Sequence, residues 1–348
     1  MTDKTNEILN FSCDYLEGAD PRILMRLLDT NLMQLPGYGL DPISKSAKER
    51  IRLACACPGA EVQFLIGGTQ TNRVCIDALL SPWQGVVAAD TGHVSVHEAG
   101  AIEAGGHKVL TVPGENGKMT SAVLGDYLAG FFADENHDHM VFPGMVYLSQ
   151  PTEFGTLYTK SELQEIRALC DQYHLALYID GARLAYALAS DENDVTLRDL
   201  ASLCDVFYIG GTKCGALIGE AVVIPDPSRT SHFFTQIKQH GALLAKGRLT
   251  GIQFDELFKD DLYFSIGRTA DMQAQEIQKA LKSRGYELLF PSPTNQVFVI
   301  MDNARVEELQ KSVAFSKWEA KGRDHTIIRF ATSWATKESD VKALIGLL

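Results

Sequence analysis

Between Glu61 and Ile224 the chain alternates short apolar runs with stretches whose apolar residues recur at helical spacing. The runs "VQFLIGG" from Val62, "GVVAAD" from Gly85, "HKVLTVPG" from His107 and "MVYLSQ" from Met145 predict strands. So do "LALYID" from Leu175, "VFYIGG" from Val206 and "EAVVIP" from Glu220. Between two of them, "TKSELQEIRALCDQYH" opens with Thr159 and Glu162 at capping-box spacing. It then sets Leu163, Ile166, Leu169 and Cys170 on one face, which predicts a helix covering a sheet. "VTLRDLASLCD" places Leu197, Leu200 and Leu203 in the same way. This alternation is that of βαβ units and a mostly parallel sheet.

Beyond Pro225 the pattern changes. Residues from Thr235 to about Gly285 read as mainly helical and are predicted to connect two subdomains. "YELLFPSPTNQVFVIMD" from Tyr286 and "HTIIRFATSWAT" from His325 predict two strands of a smaller α/β unit, joined by the N-terminal segment. The expected division is 1–30 as an N-terminal segment serving the small domain and interface, 31–260 as the large domain, and 261–348 as the small one.

Composition narrows the function. A length of 348 residues exceeds the roughly 100–200 expected of one domain. With 45% hydrophobic and 22% charged residues the chain is neither disordered nor collagen-like. A net charge of -12 argues against nucleic acid, whose phosphates call for basic patches. No window approaches a membrane span, and no basic stretch followed by a long apolar run opens the chain, so a cytosolic protein acting on small molecules is expected. The 7 cysteines form an odd, scattered set that suits a reducing compartment. "CAC", Cys55 to Cys57, is the one hint of metal, and without a partner pair at zinc spacing no metal site is expected.

In an open parallel sheet, ligands bind beyond the carboxyl ends of the strands. Asp180, Lys213, the turn Gly67–Thr71 and His93 all fall at predicted ends of that kind. A buried aspartate needs a cationic or hydrogen-bonding partner, and a protonated pyridine nitrogen is one. A lysine at a neighbouring strand end can form a Schiff base with an aldehyde. Together these are two handles of pyridoxal phosphate. The third is the phosphate: "IGGTQTNRV" turns on two glycines into a helix, offering free amides and a positive dipole end, with Thr69 and Thr71 as added donors. His93 follows a strand, where its ring can stack on the pyridine. Each residue also has a plainer reading: Asp180 as a helix cap, Lys213 as a surface lysine, His93 as a helix N-terminal residue. The other histidines, His97 among them, receive no role.

The motifs "YGLDP", "GGTQTN", "GHVSVHEAGAIEAGGHKV", "SQPTEFGTLYT", "DGARL", "GGTKCGALIGEA", "KGRLTGIQF" and "RFATSWAT" occur in one order along nearly the whole chain. In them the sequence resembles the pyridoxal-phosphate-dependent threonine aldolases, within the aspartate aminotransferase-like superfamily that also holds the β-eliminating lyases. The resemblance implies PLP fold type I: an α/β architecture with a large, mostly parallel seven-stranded sheet, helices on both faces and a small α/β domain. It implies Lys213 as the Schiff-base lysine, Asp180 as the pyridinium partner and His93 as the stacking ring. Gly68, Thr69, Gln70, Arg183 and Arg248 become cofactor contacts, Arg248 reaching from a neighbouring subunit. Arg183 and Arg329 are placed near the substrate carboxylate, with Cys13, Tyr38 and Glu153 as further substrate contacts. Two departures stand out. Cys13 occupies a position where the family often has serine, and Glu153 one where many threonine aldolases have histidine.

The activity so implied is cleavage of L-threonine, L-allo-threonine or related β-hydroxy-α-amino acids to glycine and an aldehyde. The alternative is β-elimination on another amino acid with the same lysine and aspartate. For the β-hydroxyl proton the candidate bases are His93, Glu153 and a water, of which His93 is chosen. The expected partners are a small amino acid and further copies of the chain, as a dimer or tetramer with the active site at the subunit interface.

Overall fold

The computed structural model describes residues 8–348. Its main sheet has seven strands: β1 (Glu61–Leu65), β2 (Gln84–Ala89), β3 (Val109–Val112), β4 (Phe142–Ser149), β5 (Ala176–Asp180), β6 (Val206–Gly210) and β7 (Glu220–Ile224). All seven are the runs predicted as strands. Their spatial order is β1-β7-β6-β5-β4-β2-β3. β7 is antiparallel to both its neighbours, while every other pairing is parallel. Six carboxyl ends therefore emerge along one edge, and β7 begins at that edge.

The inner strands are apolar along their length because both faces are covered, whereas the edge strands β1 and β3 keep partly covered or exposed positions. Val146, Leu177, Ile179, Phe207 and Val223 enter one core cluster, and their strand neighbours Met145, Tyr147, Tyr178, Tyr208 and Val222 enter the other. The helix Lys160–Tyr173 carries the predicted capping box, with the Thr159 side chain on the Glu162 amide and the Glu162 carboxylate on the Thr159 amide. It buries Leu163, Ile166 and Cys170.

A second, antiparallel sheet is built from β8 (Glu287–Leu288), β9 (Gln296–Asp302), β10 (Ser316–Lys321) and β11 (His325–Ala331), in the order β10-β11-β9-β8. β10 did not stand out in the sequence because "SKWEAK" lies at the edge of its sheet with only Ser316 and Trp318 partly covered, so one aromatic rather than an apolar alternation marks it. The helix Leu262–Ser283 leads into this sheet and shares its core, where Ile277 and Leu281 meet Val297 and Phe330. Phe11 enters the same core. Leu9–Asn10 pairs in parallel with Val313–Ala314, and the Phe11 carbonyl accepts from the Ala331 amide at 2.9 Å. No helix among the described residues is long and apolar enough to cross a membrane.

Candidate active site

Asp180 closes β5 and is 4% exposed. Its Oδ1 accepts from the Ala182 amide at 2.9 Å and the Tyr208 hydroxyl at 2.5 Å, and its Oδ2 from the Tyr147 hydroxyl at 2.6 Å and the Asn72 amide at 3.0 Å. Tyr147 and Tyr208 stand on β4 and β6, the strands on either side, so the sheet itself builds this cradle. A helix cap would need only the Ala182 contact, and the next helix starts at Leu184. Burial alone would raise the Asp180 carboxyl; His93 and the two tyrosine hydroxyls outweigh it and hold the group below the usual carboxylate range.

Lys213 follows β6, the neighbouring strand. Its backbone is pinned by the Tyr186 hydroxyl, which donates to the Lys213 carbonyl at 2.5 Å. Burial first, and the Arg183 guanidinium second, hold its ammonium below the usual lysine range. Asp14 and Arg183 form a two-pronged pair, with Nε to Oδ2 at 2.6 Å and Nη2 to Oδ1 at 2.9 Å. Although burial opposes it, the guanidinium lowers the Asp14 carboxyl to about 2.

His93 opens a single helical turn after β2. Its amide donates to Glu153 Oε1 at 3.0 Å, and its ring Nδ1 lies 2.8 Å from Glu98 Oε1. Glu98 is 4% exposed and also accepts from the Asn72 amide nitrogen at 2.6 Å. One buried chain, Asp180–Asn72–Glu98–His93, therefore links the acid at β5 to the imidazole beyond β2. Glu153, raised by burial, also accepts from Ser149 Oγ at 2.7 Å.

The turn at Gly67 enters the helix Gly68–Leu79 with no side-chain cap, leaving its first amides free for an anion. A Cβ added at Gly68 would come within 3.2 Å of the Tyr208 hydroxyl, so glycine lets this backbone lie close to the Asp180 cradle.

Gly67, Gly68, Thr69, His93, Asp180 and Lys213 border a cavity of about 280 Å³. Glu220 also reaches its wall, because β7 starts at the same edge. There the Glu220 carboxylate accepts from the Gly211 amide at 3.0 Å, and burial raises its carboxyl. An adjoining cavity of about 300 Å³ shares Tyr15, His93, Glu153, Arg183 and Lys213, and adds His97, Trp318 and Arg329. The Arg329 guanidinium lies 5.4 Å over the Trp318 ring and donates to Gln296 Oε1 at 2.9 Å and the Ser12 carbonyl at 3.0 Å.

The structure thus brings Gly68, Thr69, His93, Glu153, Asp180, Arg183 and Lys213 to one cavity and Arg329 to its neighbour. Five residues singled out in the sequence lie elsewhere within the chain; Thr71 is fully buried and lines neither cavity. Gln70 folds back so that its side-chain oxygen accepts from the Ile66 amide at 3.3 Å. Cys13 sits against the Tyr15 hydroxyl, and it is Tyr15 that lines the cavities. Tyr38 is exposed, with the Lys238 ammonium 5.0 Å from its ring centroid. Arg248 donates to the backbone carbonyls of Asn31 and Met33. Residues that sequence reasoning passed over include Tyr15, Asn72, Glu98, Tyr147, Tyr208 and Glu220. Asn72 and Glu98 sat inside quoted motifs, "GGTQTN" and "HEAG", but only the fold makes them neighbours of Asp180 and His93.

The donor set fits pyridoxal phosphate: an ionised acid for a protonated ring nitrogen, a recessed amine for an aldehyde, and uncapped helix amides for a phosphate. An open α/β sheet carrying these groups at its carboxyl edge defines a class, the pyridoxal-phosphate enzymes of aspartate aminotransferase-like fold. The model of the family described as beta-eliminating lyase matches residues 36–304, and the chain belongs to that family. It is 30% identical over 99% of its length to a low specificity L-threonine aldolase of a Pseudomonas species, of which the match covers 97%. It is 29% identical over 70% of its length to a low specificity L-threonine aldolase of Saccharomyces cerevisiae, with 62% of that protein covered. Among solved structures, a threonine aldolase of Leishmania major superposes with a TM-score of 0.94 at 42% identity, covering 97% of this chain and 98% of that one. A Thermus thermophilus aspartate aminotransferase shares the fold at a TM-score of 0.69 and 15% identity, covering 98% of this chain and 90% of that one. The chain is a pyridoxal-phosphate-dependent lyase.

Proposed function

We propose that the protein cleaves L-threonine, L-allo-threonine or related β-hydroxy-α-amino acids to glycine and an aldehyde. The observation that carries this reading is the shared cavity of Asp180 and Lys213, continuous through His93 and Arg183 with a second one that ends on Arg329. Pyridoxal phosphate, when bound, supplies an electron sink for the pair released when a bond to Cα breaks.

In this reading Lys213 would hold the cofactor aldehyde, Asp180 would keep the proton on its ring nitrogen, the amides from Gly67 to Thr69 would hold its phosphate, and the His93 ring would lie against its face. Arg329 anchors the substrate carboxylate. Arg183 has its fork on Asp14 and contributes charge rather than a free pair of donors. The Glu98 carboxylate, facing His93 Nδ1, favours the tautomer with its proton there and leaves Nε2 as an acceptor. As the Cα–Cβ bond breaks, Nε2 takes the β-hydroxyl proton and the aldehyde departs; Nε2 gives up its proton to water, and Cα takes one from water to give glycine. Glu153, with its carboxyl raised by burial, serves to hold the His93 backbone instead of competing as base.

The cavity completes itself in a homo-oligomer. Tyr15, in its wall, is 56% exposed, and the segment that follows it adds the exposed apolar side chains Leu16, Leu24, Met25, Leu28, Leu32 and Met33. So many exposed apolar side chains mark a surface that a second copy would cover, and Arg248 lies beside them on the carbonyls of Asn31 and Met33. The 7 free cysteines support a cytoplasmic location.

The test is incubation of the holoenzyme with L-threonine. Acetaldehyde and glycine in equal amounts are expected; ammonia and a 2-oxo acid would mark β-elimination and overturn the assignment.

A further inference from the structure

His97 received no role from the sequence, yet it follows His93 at the spacing of one helical turn, and the turn His93–Val96 sets the two on one face. The His97 amide donates to the His93 carbonyl at 2.9 Å and closes that turn. Their ring centroids lie 5.6 Å apart, and the Trp318 ring meets His97 in a T-shaped contact at 6.3 Å. Both imidazoles line the cavity of about 300 Å³ that also holds Lys213 and Arg329.

The other polar side chains of that cavity are engaged. Arg183 is forked onto Asp14, and Glu153 Oε1 accepts from both Ser149 Oγ and the His93 amide. The Tyr15 hydroxyl lies against Cys13. The His97 ring, by contrast, is exposed and makes no hydrogen bond or ion pair among the described residues; its contacts are the rings of His93 and Trp318. Burial first, then His93 and the cations Arg329 and Lys213, hold its imidazole below the usual histidine range. At neutral pH it is therefore an uncharged ring with one N–H to give.

Two imidazoles at this separation can each bring one nitrogen to a single oxygen between them, since hydrogen bonds of about 2.7–3.2 Å on either side span the gap. We propose that His97 binds the β-hydroxyl of the substrate, its N–H donating to the β-oxygen and turning the O–H toward His93 Nε2. The inference rests on the aldolase reading and deepens it, because it assigns the group that tells a β-hydroxy-α-amino acid from one without the hydroxyl. Glu153 cannot take this task while its Oε1 is tied to Ser149 and to the His93 backbone. A donor so placed keeps its bond as the β-oxygen becomes the aldehyde carbonyl, and moves no proton itself.

L-Serine and L-alanine differ by that hydroxyl alone, so they are the probes. Their binding to the holoenzyme is read from the change in the cofactor's visible absorption immediately after mixing. Wild type should bind L-serine more tightly than L-alanine. In His97→Phe, which keeps an aromatic ring against Trp318, the apparent Kd for L-serine should rise about three- to tenfold while that for L-alanine stays within about twofold. Aldehyde release from L-threonine should lose at least the same factor in kcat/KM. No preference for L-serine in wild type, an unchanged L-serine Kd in His97→Phe, or an equal weakening of both ligands overturns the proposal. Its failure is distinct from that of the parent reading: ammonia and a 2-oxo acid from L-threonine would end the aldolase assignment, whereas acetaldehyde and glycine together with any of those binding results would end the role of His97 alone.

Discussion

Four donors on one carboxylate make Asp180 the most heavily tied acid in the site, and each tie can be cut singly. Tyr208→Phe removes a hydroxyl at 2.5 Å and lets the Asp180 carboxyl drift upward. With a charged acceptor at stake, kcat/KM should fall about tenfold to a hundredfold while circular dichroism is unchanged. His93→Asn should lower kcat by about 10²–10⁴-fold, measured as aldehyde release, if Nε2 is the base. Lys213→Ala should bind no cofactor covalently, seen as loss of the visible band of reconstituted protein. Asp14 gives a pH prediction. Its folded carboxyl, near 2, lies below its unfolded value, so its contribution to stability is present above about pH 4 and is lost as pH falls toward 2. That contribution is about 2–3 kcal/mol. Asp14→Asn should therefore melt lower at neutral pH, and the gap to wild type should narrow as the medium is acidified.

Among the elements, the junction between β5 and β6 tolerates least. A Cβ at Gly181 would lie 2.0 Å from the Tyr208 carbonyl oxygen, which is backbone and cannot step aside. Gly181→Ala should cost about 3 kcal/mol or more, read as a lowered melting temperature, and should disturb Asp180 as well. The same element scale explains what was legible in the sequence. The strands β2 and β4 to β7 announced themselves because burial on both faces makes each one an apolar run, while β1 and β3, at the sheet's edges, keep apolar residues only on their covered positions. Asp180, Lys213, His93 and the Gly67–Gly68 turn were legible because strand ends in such a sheet converge. Glu220 was not, since β7 looks like its neighbours in sequence and only its reversed direction brings its first residue to the edge. Asn72 and Glu98 were hidden for a different reason: their roles are contacts across 108 and 26 positions of chain, which no local pattern carries. Tyr15 was missed because the extended segment turns its ring, not the Cys13 thiol, toward the cavities.

For the molecule as a whole, the exposed apolar surface is the feature that composition alone could not locate. Leu28 is 75% and Leu32 91% exposed, values that leave both side chains in water unless another copy covers them. The double variant Leu28→Asp, Leu32→Asp should sediment as a lighter species than wild type and lose most of its activity, because Tyr15 and the adjoining wall would lose their cover. Wild-type protein that already sediments as a monomer would remove the case for a shared site.

The strap formed by Leu9–Asn10, Phe11 and Asp14 closes against Val313–Ala314, Ala331 and Asn295. On the ribosome these early residues must wait, unmatched, while nearly all the rest of the polypeptide is made. The large sheet can assemble in the meantime, but the wall carrying Tyr15 cannot dock until the final strands exist.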